Sequence, residues 1–245
     1  MKVLVYTSLF PNEKMPNFGI FIKQRMFHFS NLAEKSIKVV APIPYCPKWI
    51  THEKWKKFQK ITRSEKQNGI DVYHPRYPLL PKVSMAFHGI LLFLGNLPQM
   101  KKIFRKFPFD IIDAHFVYPD GFAAILFGKI FKKPVIISAR GSDINQYITF
   151  PLIKKLIKYT LNNATTIISV CQSLKNEMIQ IGIPDKKIHV IPKGVDIHRF
   201  SLKDRVICRK RLHIRGKENA ILSVGGLIER KGFHILIDAM KSISK

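Results

Sequence analysis

One stretch constrains this chain more than any other: DIIDAHFVYPDGFAAILFGKIFKKPVIISARGSDINQY, residues 110–147. Residues 110–114 and 135–139 are short apolar runs. Residues 120–131 between them are apolar almost all round, as a helix buried against a sheet must be. Strand, crossover helix and strand make a right-handed βαβ unit with parallel strands. In open α/β sheets, ligands collect beyond the carboxyl ends of the strands. Two polar clusters fall there: His115 with Tyr118, Pro119 and Asp120, and the run Arg140-Gly141-Ser142-Asp143. On spacing alone they read either as a ligand edge or as turn residues around a buried core.

The same alternation runs through the rest of the chain. Strands are predicted over residues 2–7, 37–41, 70–74, 165–170, 187–191 and 220–224. Helices are predicted over 19–34, 151–163, 172–181, 203–213 and 233–243. This is the pattern of a doubly wound α/β sheet. Gly19 opens the first helix after a Pro/Asn-rich loop, a layout in which backbone N–H groups can face an anion; a plain loop is the competing reading. Residues 42–66 form a long, basic, Trp-containing connection. The apolar run 83–97 is too short, and too broken by His88, Gly89 and Gly95, to span a bilayer. Pro98 is expected to interrupt it, and Lys101, Lys102, Arg105 and Lys106 follow. This segment either covers the sheet or touches anionic lipid. The turn-rich run Pro192-Lys193-Gly194-Val195-Asp196 reads as a domain boundary. It leaves a Rossmann-like domain over residues 1–195 and a tail, 196–245, too small to supply a core alone.

Charge narrows the partners. Forty-two Lys and Arg against sixteen Asp and Glu give a net charge of +26, which attracts nucleic acid, anionic lipid or phosphorylated substrates; a solvated basic surface set by composition is the competing reading. No interleaved basic-aromatic run or zinc-finger spacing is present, so nucleic acid is not an expected partner. Cys46, Cys171 and Cys208 are far apart and form no CxxC pair, which fits a reducing cytosol and argues against a zinc site. The first residues, MKVLVYTSLFP, lack a signal-peptide core and cleavage site and read as a strand. Near the other end, Gly225-Gly226-Leu227-Ile228-Glu229-Arg230-Lys231-Gly232 joins a predicted strand to a helix. Glycines allow close backbone approach, and Arg230 and Lys231 stand before a helix N-terminus, which favours a diphosphate. A solvated basic turn is the alternative, and no GK[ST] makes it a P-loop.

Four segments in order, DIIDAHFVYPDGFAA, PVIISARGSDIN, IISVCQSLKNEMIQIGIPDKKIHVIPKGVDIHRF and ILSVGGLIERKGFHILIDAM, resemble the family 4 glycosyltransferases of the GT-B fold. The resemblance is to the branch that builds bacterial cell-surface polysaccharides of the teichuronic-acid type. It implies two Rossmann-like domains facing across a cleft, acceptor on the first and nucleotide sugar on the second. It implies transfer of a sugar from a UDP- or GDP-sugar, with retention, to a glycan or lipid-linked acceptor, and no metal or other cofactor. Residue by residue, His115, Arg140 and Asp143 would line the acceptor and transferring-sugar side. Gly19, Gly225, Arg230 and Lys231 would hold the donor. The sequence departs from the family at Arg140, where many members have His, at Lys193 in place of Asn, and at Gly226 in place of Arg. The family's E-x7-E segment would follow beyond Lys245. The chain is therefore expected to be a C-terminally truncated form that does not transfer sugar alone. Its expected location is cytoplasmic, with peripheral contact to the inner face of the membrane. Two other classes compete: an inactive acceptor-binding or membrane-associated module, as half of a split protein, and a basic nucleic-acid-binding protein.

Overall fold

Val3, Val5, Ile37, Val39 and Val72 are buried on one side of the strands. Leu4, Tyr6, Val40, Ile112 and Ile137 are buried on the other. Two-sided burial is what a parallel sheet covered by helices requires. The computed structural model describes residues 1–33, 36–47, 53–79, 85–214 and 219–243. Its strands are β1 (Lys2–Tyr6), β2 (Ser36–Val40), β3 (Ile43–Pro44), β4 (Ser64–Gln67), β5 (Ile70–Tyr73), β6 (Arg76–Tyr77), β7 (Ile111–His115), β8 (Val135–Ala139), β9 (Thr166–Ser169) and β10 (Ile188–Val190). Eight form one sheet in the order β10-β9-β8-β7-β1-β2-β5-β4, and β3 pairs with β6. All pairs in the large sheet are parallel except β4–β5.

The helices are α1 (Ile20–Ala33), α2 (Glu53–Gln59), α3 (His88–Lys106), α4 (Phe122–Phe131), α5 (Ser142–Asn145), α6 (Pro151–Asn163), α7 (Gln172–Gln180), α8 (Arg205–Arg211) and α9 (Phe233–Ile243). Ile22 and Met26 of α1 pack on one face of the sheet; Leu92 and Met100 of α3, Phe127 of α4, Ile157 of α6 and Met178 of α7 belong to the core on the other. From β1 the chain winds one way to β2 and β5 and the other way from β7 to β10. The switch point therefore lies between β1 and β7, where a crevice forms at the carboxyl ends.

Three expectations are corrected. Pro98 does not interrupt α3, which runs unbroken through it. Pro98 and Leu94, four residues earlier, are both exposed, so the carbonyl that Pro98 leaves unbonded faces water. Gly89, Leu92, Asn96, Met100 and Ile103 bury the opposite face and hold the helix. The 42–66 connection contains β3, α2 and β4. β4 turns into β5 through Asn68 and Gly69, both at positive φ (49° and 84°), a two-residue hairpin turn. Residues 220–224 form no strand. With no neighbouring strand to pair its backbone, this run gains nothing from extension, and Leu222 and Val224 stay exposed.

The chain divides into two units, Met1–Gly194 and Val195–Lys245. In the second, Asp204 caps α8 by accepting from the Ile207 N–H at 2.9 Å. A short 3-10 turn over Glu229–Lys231 leads through Gly232, at φ 66°, into α9.

Candidate functional site

The carboxyl end of β1 meets that of β7 through a buried carboxylate. Asp120 accepts the Ser8 N–H and the Ser8 hydroxyl, each at 2.9 Å, and so ties the loop after β1 to the loop after β7. Burial raises the Asp120 pKa to about 7, the Ser8 hydrogen bonds oppose the rise, and nearby Asp143 adds to it. The β1 loop returns under the start of α1 at Gly19. A side chain there would place Cβ 2.3 Å from the Leu9 carbonyl oxygen, and φ is +69°, so only glycine lets the two backbones approach. In the fold, the role of Gly19 is this close crossing.

The alternation of β7 explains the centre of the site. Ile112 and Ala114 face the large core, so Ile111, Asp113 and His115 face the side of α1. On β8, Ser138 stands opposite His115 in register. Asp113, His115 and Ser138 are all buried, a polar strip where the sheet is otherwise apolar. His115 Nε2 lies 3.4 Å from an Asp113 carboxylate oxygen, a close electrostatic contact rather than a full hydrogen bond. His115 Nδ1 contacts Arg140 Nη2. A guanidinium only donates, so Nδ1 accepts, and the ring is neutral with its proton on Nε2 toward Asp113. Electrostatics agree. Burial lowers the His115 pKa; Asp113 opposes this, and Arg140 and Arg25 add to it. Burial alone would raise Asp113, but His115, Arg25 and Arg140 hold it below the usual range. Arg140 is pulled down to about 10, first by burial and then by Arg25, and stays charged at neutral pH.

Arg25, on α1, reaches Ser138 Oγ at 3.5 Å and completes the cluster. Phe21, one turn earlier, lies beneath two cations. The Arg140 guanidinium carbon is 5.4 Å from its ring centre and Lys193 Nζ is 4.6 Å, both in cation–π range. Phe116, directly after His115, sits at φ 87° and ψ 121°, a strained conformation for a bulky side chain and one that collects at functional sites.

Of the residues expected on the acceptor side, His115 and Arg140 come together and Asp143 does not join them as a free carboxylate. Asp143 accepts the Val117 N–H at 2.8 Å, the Arg140 N–H at 3.0 Å and the Gly141 N–H at 2.8 Å. It braces the β8 loop against the β7 loop. Its pKa is raised by burial, against the backbone amide hydrogen bonds that lower it. Gly225 and Lys231 lie in the second unit, where a Cβ on Gly225 would sit 3.5 Å from the Phe233 ring and 3.6 Å from the Lys231 side chain. Lys231 is exposed, and its N–H donates to the Ile228 carbonyl. The Arg230 side chain lies outside the described residues. Sequence reasoning missed Asp113, Arg25 and Phe21. The pair Asp113 and His115, two apart on a strand otherwise apolar, was the available signal. Among the described residues, no cluster of three or more His, Cys, Asp or Glu is placed to hold a metal ion.

The sequence model described as Glycosyltransferase Family 4 matches residues 59–199, more than half the chain. The chain belongs to glycosyltransferase family 4. Among the relatives of this family 4 chain is TuaC of Bacillus subtilis, named as a teichuronic acid biosynthesis glycosyltransferase, with 28% identity over 99% of this chain and 63% of that protein. Another is an uncharacterized glycosyltransferase of Methanocaldococcus jannaschii, MJ1178, 28% identical over 64% of this chain and 41% of its own length. The chain therefore spans less than two thirds of either relative. In fold it is similar to HepE of Anabaena, solved in complex with UDP-glucose: TM-score 0.53, 15% identity, covering 87% of this chain and 50% of that one. The fold is α/β of the GT-B type, and residues 1–194 form one doubly wound, mostly parallel sheet.

Proposed function

We propose that this family 4 chain supplies the acceptor-side domain and the first donor-side loop of a retaining glycosyltransferase. The reaction moves a sugar from a UDP- or GDP-sugar to a glycan or lipid-linked acceptor in cell-surface polysaccharide synthesis. The observation that carries the reading is the Arg25–Asp113–His115–Arg140 cluster at the switch point of the sheet, its carboxylate and imidazole buried and its two guanidiniums half-buried. A cationic, largely dehydrated group such as Arg140 has its strongest effect where water is excluded. Support also comes from TuaC, whose name concerns teichuronic acid biosynthesis, and from HepE, which was solved with UDP-glucose.

In this reading the bond from the anomeric carbon to the diphosphate oxygen breaks, and its electron pair leaves with the diphosphate. The acceptor hydroxyl oxygen forms the new bond on the same face, and its proton passes to the departing diphosphate oxygen. Arg230, Lys231 and the start of α9 offset the charge that develops on the leaving group. Arg140, fixed by His115 and Phe21, faces the transferring sugar, while Asp143 and Asp120 set the loops that carry it. The chain spans 63% of the length of TuaC.

The test has two parts. In the polypeptide that carries the whole donor domain, Lys231→Ala lowers transfer of labelled sugar by roughly a hundredfold or more, the scale of one lost electrostatic contact; near-wild-type transfer by that variant overturns the donor assignment. The 245-residue chain binds UDP- and GDP-sugars no tighter than about millimolar by calorimetry; micromolar binding overturns the reading that this stretch supplies only the first donor-side loop.

A further inference from the structure

Away from the cluster at β7, a cavity of about 300 Å³ opens where β5 ends and β6 begins, under the middle of α3. Arg63, Ser64, Tyr73, His74, Arg76 and Gln99 provide its polar lining. Arg76 is anchored by Nη2, which donates to the Ile61 carbonyl at 2.6 Å. Its Nη1 is buried and has no hydrogen-bond partner among the described residues. Burial lowers its pKa, and the like charge of Arg63 lowers it further, with no carboxylate offsetting either. Glu65, next to Ser64 on β4, is engaged by His74 Nε2 at 2.8 Å and by Gln67 Nε2 at 2.8 Å. Two guanidiniums thus line one cavity with no ion pair to either among the described residues, and the unpartnered Arg76 Nη1 costs energy that an anion would offset.

The position along the sheet gives this cavity a use. β5, β2, β1 and β7 run parallel, so it lies on the same edge as His115, three strand spacings away, about 14 Å. We propose that the Arg63–Arg76 cavity binds a phosphate group of the acceptor, held while the reacting hydroxyl lies at the β7 end. Guanidinium forks match phosphate oxygens two at a time, which is why two arginines suit this ligand better than a halide or a neutral sugar. The acceptor part of the statement rests on the glycosyltransferase reading; the phosphate site does not, and its test reads binding alone.

The experiment is calorimetric titration of the 245-residue chain with inorganic phosphate and with geranyl diphosphate at fixed ionic strength. Because the chain is so basic, Lys102→Gln, an exposed residue on α3, serves as the matched loss of one charge. Arg76→Gln and Arg63→Gln each weaken phosphate binding about tenfold or more, the scale of a charge-assisted hydrogen bond, while Lys102→Gln stays within about twofold of wild type. Arg63 is exposed, so its variant decides the matter even where Arg76→Gln fails to fold. Phosphate binding by Arg63→Gln equal to that of Lys102→Gln overturns the proposal. Geranyl diphosphate binding tenfold tighter than phosphate, and lost in the same variants, assigns the site to a lipid-linked diphosphate. Equal affinities assign it to the phosphate group whatever carries it.

Discussion

At Asp120 a fully buried carboxyl group makes two hydrogen bonds to Ser8 and holds two loops of the site together. Its folded pKa is raised to about 7, chiefly by burial, while the unfolded chain releases this proton near pH 4. Between those values the folded state binds more protons than the unfolded one. The stability this group contributes is therefore complete below about pH 4 and is lost as pH rises to 7, by roughly 4 kcal/mol for a shift of this size. Asp143 acts in the same direction, and Asp113 and His115 act against it, so the measurement is a difference. Asparagine can accept from the Ser8 N–H and donate to its hydroxyl, so Asp120→Asn keeps both contacts. Its melting temperature relative to wild type should rise steadily from pH 4 to 7 and level off above. A constant offset across that range would show that Asp120 does not titrate there. At this scale the sequence was partly legible. His115 and Arg140 stand out because polar residues at strand ends are conspicuous. Arg25 and Phe21 do not, because only the packing of α1 brings them, 113 and 119 residues earlier in the chain, against Ser138 and Arg140.

The element most open to two readings in the sequence is α3. Its buried face belongs to the core, with Leu92 fully buried, and its last turn is exposed and basic at Lys101, Lys102, Arg105 and Lys106. No helix among the described residues is long and apolar enough to cross a membrane. Leu92→Ala should cost about 2–5 kcal/mol, the range for emptying a packed site, while Leu94→Ala, on the wet face with 57% exposure, should change stability by less than about 0.5 kcal/mol. Any peripheral contact with anionic lipid then falls to the basic end. Replacing Lys101 and Lys102 with Gln should weaken binding to anionic vesicles, and added salt should do the same, since exposed charges are screened within about 8–10 Å. Binding that ignores both would exclude the electrostatic contact. The long parallel strands were legible because apolar runs mark them. The β4–β5 hairpin had its signal, Asn68-Gly69, between a stretch read as connection and the next predicted strand. Residues 220–224 show the opposite failure: an apolar run has strand character only where neighbours accept its hydrogen bonds.

Across the whole molecule, burial is uneven. Residues 1–194 hold both core clusters and all ten strands. Among the described residues after Gly194 there is no strand and no buried side chain; Ile235 and Ile237 of α9 are each 65% exposed. Local hydrogen bonds such as the Asp204 cap contribute about 1 kcal/mol each. They do not replace the apolar burial that offsets the conformational entropy of an ordered segment. The two units should therefore differ in stability, with the second opening first. Limited proteolysis should cut first between Lys193 and Lys217 and leave a resistant N-terminal fragment. A polypeptide of residues 1–194 should unfold in one cooperative transition, with a melting temperature within a few degrees of the full chain's, because nothing in its two cores is drawn from the residues removed. Early cleavage within residues 1–190, or a fragment without a cooperative transition, would mean that the second unit supports the first and that the sheet is not an independent folding unit.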